Sequence, residues 1–431
     1  MQLRARHISG ETGGITAVCS THRMVLEAAF ETAATTSDIL LIEATSNQVN
    51  QSGGYTGMHP SVYMEYIKSL AAAARFPLSR LIVGADHLGP HPWIREPADK
   101  ALARAKILVK ECVDAGFNKI HLDTGMGCAD DPSAPLPTEI ISERAAMLCF
   151  AAESQAQRQP ADRPSPLYVI GAEVPKPGGG LDDEQLRVTS VEDVDGLLDS
   201  TRACLNQMGL SSAWERVVAV VVQPGIDFGN MQVIRYRPKS AVELADYHSA
   251  LPGIMTYEVH AADYQSPSAI EEMFRDHLTI LKIGPCLTNA YREAIFSLAH
   301  MEMEWLAGKK GYRLSEIRHC LESVMKKNPE HWQTHYRGTA AEVEFLRQYS
   351  FRDRMRYYWH NPEIAAAVNR LLHNLNRSIP PVLLKQYFPD LYPAIESGEI
   401  ESTVLSLIKG RIAQTLTPYF RASQASSQHH V

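Results

Sequence analysis

No stretch of this chain is long and apolar enough to span a bilayer, and Met1 to Gly14 carries Arg4, Arg6 and Glu11 rather than the apolar segment of a secretion signal. A membrane is therefore not an expected partner, and the cytoplasm is the expected location. Cysteine is sparse: Cys19, Cys112, Cys128, Cys149, Cys204, Cys286 and Cys320 are odd in number and include no Cys-x-x-Cys pair. They read as reduced thiols, not as a disulfide framework. Basic residues form no stripe. The 42 Lys and Arg are scattered among 49 Asp and Glu for a net charge of -7, so nucleic acid, whose phosphates need clustered cations, is not an expected partner either. Nucleotide motifs are missing as well. No Gly-x-x-x-x-Gly-Lys-Ser/Thr occurs, which leaves a nucleotide-dependent kinase without support, and no Gly-x-Gly-x-x-Gly follows the first apolar run.

What is present is a rhythm. The 431 residues, 45% hydrophobic and 21% charged, suffice for one barrel-sized core plus an appendage. Short runs rich in Val and Ile recur at Thr16–Cys19, Ile39–Glu43, Leu81–Asp86, Lys119–Asp123, Tyr168–Val174, Val217–Val222, Met255–His260 and Ile280–Gly284. Amphipathic stretches separate them, among them Met24–Ala34, Ser61–Ala74, Pro97–Ala115, Thr138–Gln155, Val191–Met208, Ala241–Ser249 and Ser268–Asp276. Eight such repeats, joined by right-handed crossovers, predict an α/β fold that closes as a (β/α)8 TIM barrel over residues 1–288; a doubly wound open sheet is the alternative. Beyond it the spacing predicts helices in a C-terminal extension over 289–421, followed by a polar tail over 422–431. In that extension the aromatic and basic stretch Arg352–Trp359 packs into the core or reaches over the barrel mouth. Core packing is the ordinary fate of Tyr and Trp.

In a parallel barrel the chemistry sits where strands end. Polar residues interrupt the apolar runs at that place repeatedly: Glu43, Asp86-His87, His121 and Asp123, Glu173, Gln223, Glu258 and His260, and Lys282. A lone buried histidine is usually a satisfied core residue, but so many charges at the same relative place need one another as partners. His87, His260 and Glu173 form a candidate set for a divalent cation, since imidazole and carboxylate together suit Zn²⁺, Mn²⁺ and similar ions. Asp86 is the candidate general base or acid, with Glu43 and Asp123 as alternates. That assignment assumes the third strand ends before His87, so that both neighbours reach the mouth. Lys282 is expected to touch substrate rather than act as a nucleophile. The glycine-rich stretches Gly53–Gly57 and Pro177–Gly180 are loops that either move over a ligand or simply turn.

Several of these stretches resemble the GatZ/KbaZ family: Glu43 through Gln51, Gly53 through Gly57, Asp86-His87-Leu88-Gly89-Pro90, Lys119 through Asp123, Glu173-Val174-Pro175, Val221 through Gly225, His260, Asp263-Tyr264-Gln265 and Arg292 through Phe296. The similarity extends from about Val18 to the C-terminal helices. The resemblance implies a barrel distantly like class II aldolases, whose Asp-His pair supplies a proton-transfer acid and a metal ligand, here Asp86-His87. His260 falls where a later metal histidine is expected. Gln223 stands where the aldolases have another histidine, which leaves Glu173 or Gln223 as third ligand. Asn47, Gln48 and His121 are then expected substrate contacts, and Lys282, Thr288 and Arg354 candidates for the phosphate.

Two functions follow from the same resemblance. Some members are non-catalytic subunits supporting a class II tagatose-bisphosphate aldolase. Others are metal-dependent epimerases acting on D-tagatose 6-phosphate and D-fructose 6-phosphate at carbon 4. The expected partners are a sugar phosphate, a divalent cation (Zn²⁺, Mn²⁺, Mg²⁺ or Ni²⁺), and either a class II aldolase subunit or further copies of the chain. Retention of Glu43, Asp86, His87, Asp123, Glu173 and His260 together favours the epimerase, and a plain aldolase shares its first steps.

Overall fold

The apolar runs pair side by side into a closed ring. In the computed structural model, which describes residues 2–36, 39–132, 135–171, 186–424 and 426–427, the barrel strands are β1 (Ile15–Cys19), β2 (Leu40–Thr45), β3 (Leu81–Leu88), β4 (Lys119–Leu122), β5 (Leu167–Ile170), β6 (Val217–Val222), β7 (Thr256–Val259) and β8 (Ile280–Ile283). Each pairs in parallel with the next, and β8 closes on β1, so the fold is a TIM barrel. The expected helices stand between the strands with ends shifted by one or two residues, for example Arg23–Thr36, Pro60–Ala73 and Ala98–Ala115. Their limits have local causes. Pro60 opens its helix at the first position, where no backbone N–H is needed, and Gly116 closes the third with φ +92°. Each helix buries one face on the sheet: Val25, Leu26 and Phe30 are fully buried, and burial of a side chain such as Phe30 stabilises by roughly 1.5–3 kcal/mol.

The lumen has two regions of opposite character. Ala17, Leu41, Val169, Ala219, Val221 and Ile280 form a small apolar cluster separate from the main core. Two residues further along their strands, on the same face, stand Cys19, Glu43 and Lys282. The barrel interior thus changes from dry packing to charge within one pleat, towards the C-terminal ends of the strands.

Strand β3 runs on to Leu88, past the expected end at Asp86. Its pairing with β4 shifts register between Ala85 and Leu88, and His87 takes φ +50°. This irregularity brings Asp86 and His87 to the same region even though they are neighbours, so the two reach the mouth by a bulge rather than by the end of the strand. Gly89 sits in the same turn: a Cβ there would lie 1.6 Å from the Asp123 carbonyl oxygen, so nothing larger fits between β3 and β4.

The helix after β8, Pro285–Leu306, runs unbroken across position 288 and leads into the helical extension. The last helix, Val404–Ser423, returns to lie against Arg23–Thr36, Pro285–Leu306 and Pro267–Arg275. Ser426-Ser427, in the expected polar tail, pairs with Glu11-Thr12, while 428–431 lie outside the described residues. Among the described residues, no helix is long and apolar enough to cross a membrane.

At the opposite end of the barrel, three imidazoles meet. His7 Nε2 donates to the Gly13 carbonyl at 2.6 Å, so its Nδ1 is left to accept from His277 Nδ1 at 2.9 Å, and the His277 ring stacks on His248 at 3.8 Å. This arrangement suits neutral rings. Burial first, then the neighbouring imidazoles, pushes His248 and His277 down to about 4. With folded values below the ordinary 6.5, the unfolded chain binds more protons between about pH 6.5 and pH 4, so stability is full above that window and is lost as pH falls through it. Each ring is expected to contribute on the order of 1–2 kcal/mol, discounted for partial exposure. Calorimetric melting at about pH 7 and about pH 5 should show a smaller fall in Tm for His277→Gln than for the wild type; equal falls would refute this account.

Candidate active site at the barrel mouth

The charged region of the lumen is a connected network. Lys119 Nζ, from β4, lies 2.6 Å from Glu43 Oε1 and 2.7 Å from Glu258 Oε2, spanning the barrel between β2 and β7. Lys282 Nζ, from β8, meets Asp86 Oδ1 and lies 3.4 Å from both Glu43 Oε2 and Glu258 Oε1. All are essentially excluded from water. Gly84 makes the room: a Cβ there would stand 2.4 Å from Glu43 Oε1. Burial tends to raise the Asp86 carboxyl, but His87, Lys282 and His121 together outweigh it and hold it well below the usual carboxylate range. Glu258 is likewise held low, because Lys119, Lys282 and His260 outweigh its burial.

Three imidazoles lie beside this network. His87, His121 and His260 have ring centroids 5.0–5.2 Å apart in every pairing. His121 Nε2 donates to the Gly171 carbonyl at 2.9 Å, which in the neutral ring turns the Nδ1 lone pair toward Asp86 Oδ1, 2.9 Å away. Two acceptors at that distance require a proton or a cation between them. His87 Nδ1 is 2.9 Å from Asp123 Oδ2, and His87 Nε2 is 3.3 Å from Asp86 Oδ2. Asp123 also accepts from Gly125 N and is held low: burial opposes this, but the hydrogen bond and charge of His87 dominate. His260 Nε2 lies 3.1 Å from Glu258 Oε1.

These donors fit a divalent cation. One ligand atom from each of Asp86, His121, Glu258 and His260 falls within 4.8 Å of all the others, and all four residues are buried. The charges fit as well. Besides the three imidazoles, Glu43, Asp86, Asp123 and Glu258 face Lys119 and Lys282 among the described residues, so the four carboxylates outnumber the two lysines by two, an excess that each protonated imidazole would reduce by one. With neutral imidazoles a divalent cation would balance it.

The residues expected from sequence are placed unequally. Asp86, His87, His260, Lys282, Asn47, Gln48 and Arg354 line one cavity of about 630 Å³. Glu43 and His121 lie beneath its floor in the buried network, and Asp123 stands beside His87. Gln223 is engaged elsewhere, its Oε1 accepting from Gly225 N at 2.8 Å and Ile226 N at 2.9 Å. Thr288 donates to Asp353 at 2.5 Å and does not line the cavity. Glu173 and the loop Pro177–Gly180 lie outside the described residues. Glu258 and Lys119 had no role assigned from sequence, although a charge inside an apolar strand, with Glu258 and His260 two apart on one face, was the available signal.

A parallel barrel whose strand ends converge on imidazoles, carboxylates and lysines defines a (β/α)8 protein with a candidate metal centre. The chain belongs to the family described as "D-tagatose-1,6-bisphosphate aldolase subunit GatZ/KbaZ-like", whose model matches residues 1–424. It is 42% identical over 416 residues to the D-tagatose-1,6-bisphosphate aldolase subunit GatZ of Klebsiella pneumoniae subsp. pneumoniae, covering 96% of each chain. It is 41% identical over 420 residues to the subunit of the same name from Salmonella dublin, covering 97% of each. A crystal structure titled as a probable tagatose 6 phosphate kinase from Sinorhizobium meliloti 1021 superposes with a TM-score of 0.85 at 38% identity, covering 95% of this chain and 100% of that one.

Proposed function

We propose that this chain is a divalent-metal-dependent ketohexose-phosphate 4-epimerase that interconverts D-tagatose 6-phosphate and D-fructose 6-phosphate by retro-aldol cleavage and re-addition. The observation that supports it is the buried cluster of Asp86, His121, Glu258 and His260, in a network where carboxylates outnumber lysines, opening on a cavity large enough for a hexose phosphate. A divalent cation held by His121, His260 and Glu258, with Asp86 beside it and His87 held between Asp86 and Asp123, would supply Lewis-acid polarisation of the ketone carbonyl. Asp86, ionised and lining the cavity, takes the proton of the carbon 4 hydroxyl as the carbon 3 to carbon 4 bond breaks. The electron pair of that bond stays on the three-carbon fragment bearing the ketone, and carbon 4 becomes an aldehyde. After the aldehyde turns over, the bond re-forms on its other face and Asp86 returns the proton. Lys282 and Lys119 hold the carboxylates in place throughout. No nucleotide enters, in keeping with the lack of a phosphate-binding loop of the Gly-x-x-x-x-Gly-Lys type.

The names of the two GatZ relatives favour a second reading over this one: a subunit that supports a separate class II tagatose-1,6-bisphosphate aldolase. One measurement separates the two. The purified chain, incubated alone with D-tagatose 6-phosphate and Mg²⁺, Mn²⁺, Ni²⁺ or Zn²⁺, is expected to form fructose 6-phosphate, to lose that activity to a chelator and to regain it on return of the cation. Triose products would instead make it an aldolase. Silence alone, with activity gained only on adding a class II aldolase subunit, would establish the supporting role and refute the epimerase.

A further inference from the structure

One wall of the cavity takes no part in the chemistry above. It is built by the turn Arg354–Tyr357 of the helical extension, with His331 and His335 beside it. Arg354 is 6% exposed. Its Nη1 donates to the Tyr357 hydroxyl at 2.9 Å and its Nη2 to His335 Nδ1 at 2.8 Å. Arg356 donates from Nη1 to the Asp353 carbonyl at 3.0 Å and from Nη2 to the same Tyr357 hydroxyl at 3.1 Å. One phenol oxygen therefore fixes two guanidinium groups side by side. His331 stacks on the Tyr357 ring at 4.6 Å and braces it from the other face.

None of these hydrogen-bond acceptors is an anion. Among the described residues neither arginine forms an ion pair with a carboxylate, and the buried Arg354 Nε has no hydrogen-bond partner. Of the nearby acids, Asp353 accepts from Thr288 and acts on Arg356 by its charge without an ion-pair contact, and the exposed Glu330 lies 3.7 Å from His331. Two positive charges next to each other in a largely desolvated wall repel; burial lowers the Arg354 guanidinium, whereas at Arg356 burial is outweighed by the neighbouring Tyr357, Tyr55 and Asp353, which raise it. The other ready anion position in the cavity is already filled. Asp263 Oδ1 accepts from Gly284 N at 2.9 Å and Cys286 N at 2.8 Å, occupying the N-terminus of the helix Pro285–Leu306. Lys282 is likewise committed to Asp86, Glu43 and Glu258.

We infer that Arg354 and Arg356 form a binding subsite for a phosphomonoester dianion, pre-set by Tyr357, so that the helical extension supplies the phosphate grip for the barrel's metal-side chemistry. Forked N–H donors fixed in a plane suit phosphate oxygens better than a flexible ammonium does. The identity of the sugar rests on the epimerase reading; the anion subsite does not.

The test is calorimetric titration of the full-length protein with inorganic phosphate, together with steady-state assays on D-tagatose 6-phosphate and unphosphorylated D-tagatose. The wild type is expected to bind phosphate, and Arg356→Gln and Arg354→Gln each to weaken it about 10- to 100-fold. The same variants should raise KM for D-tagatose 6-phosphate by a similar factor with less effect on kcat, and Asp86→Asn should leave phosphate affinity within about twofold. Because Arg354 is buried, Arg356→Gln, on a half-buried side chain, carries the test if Arg354→Gln does not fold. Failure of the wild type to bind phosphate, or unchanged affinity in Arg356→Gln, overturns the subsite. Phosphate binding that is lost in the arginine variants of a protein with no turnover on any sugar phosphate upholds the subsite and overturns the epimerase reading instead.

Discussion

Asp86→Asn is expected to lower kcat on D-tagatose 6-phosphate by about 10²- to 10⁴-fold, the range typical of losing a positioned general base, with KM moved by much less. Of the buried network's carboxylates, Asp86 lines the cavity, touches Lys282 and His121, and lies 3.3 Å from His87. Glu43 is sealed beneath it between two lysines, and Asp123 points at His87. Asn keeps the shape and can still accept from Lys282, so the loss falls on proton transfer and on the local charge rather than on the fold. Fructose 6-phosphate production by the purified variant, with Tm measured alongside, decides it. Retention of more than about a tenth of wild-type kcat in a fully folded variant would remove Asp86 from the role of base.

The barrel was legible because parallel strands buried on both faces must be short, apolar and β-branched, and Val217–Val222 is such a run from end to end. Strand ends were less so. β3 continues through Asp86-His87 because a bulge and a left-handed residue let polar side chains stay in the ladder, and nothing in the order of residue types announces that. The candidate site was half legible for a related reason. Asp86, His87, His260 and Lys282 stand at strand ends and converge, as expected, on one cavity. Lys119 and Glu258 sit inside strands, and their pairing across the lumen, from β4 to β7, is a property of closure that no local pattern encodes. Arg352–Trp359 divides the two fates posed for it: Tyr358 and Trp359 pack in the core, while Arg354, Arg356 and Tyr357 face the cavity. A turn entered through Asp353 at φ +42° alternates them, which spacing alone did not predict.

Lys119→Met is expected to be among the most destabilising single changes in the lumen, at roughly 3–5 kcal/mol, because it leaves one partner of a buried ion network uncompensated. Lys119 is 3% exposed and bridges Glu43 and Glu258 at 2.6 and 2.7 Å, while Lys282 reaches those carboxylates only at 3.4 Å and already serves Asp86. Burial opposes the Lys119 ammonium, yet Glu258 and Glu43 together raise it above its ordinary value, so the charge lost is one the two acids hold firmly. Met matches the length of the stem without strain, which isolates the electrostatic part. The expected readout is a fall in Tm of several degrees, with a higher affinity for divalent cation as the excess negative charge in the lumen grows. Adding Glu258→Gln to Lys119→Met should recover more than half of the stability, since it removes the charge left without a partner; Glu258→Gln in the wild-type background should destabilise. If the two changes simply add, the network is not a coupled unit, and the charge excess that calls for a divalent cation loses its foundation.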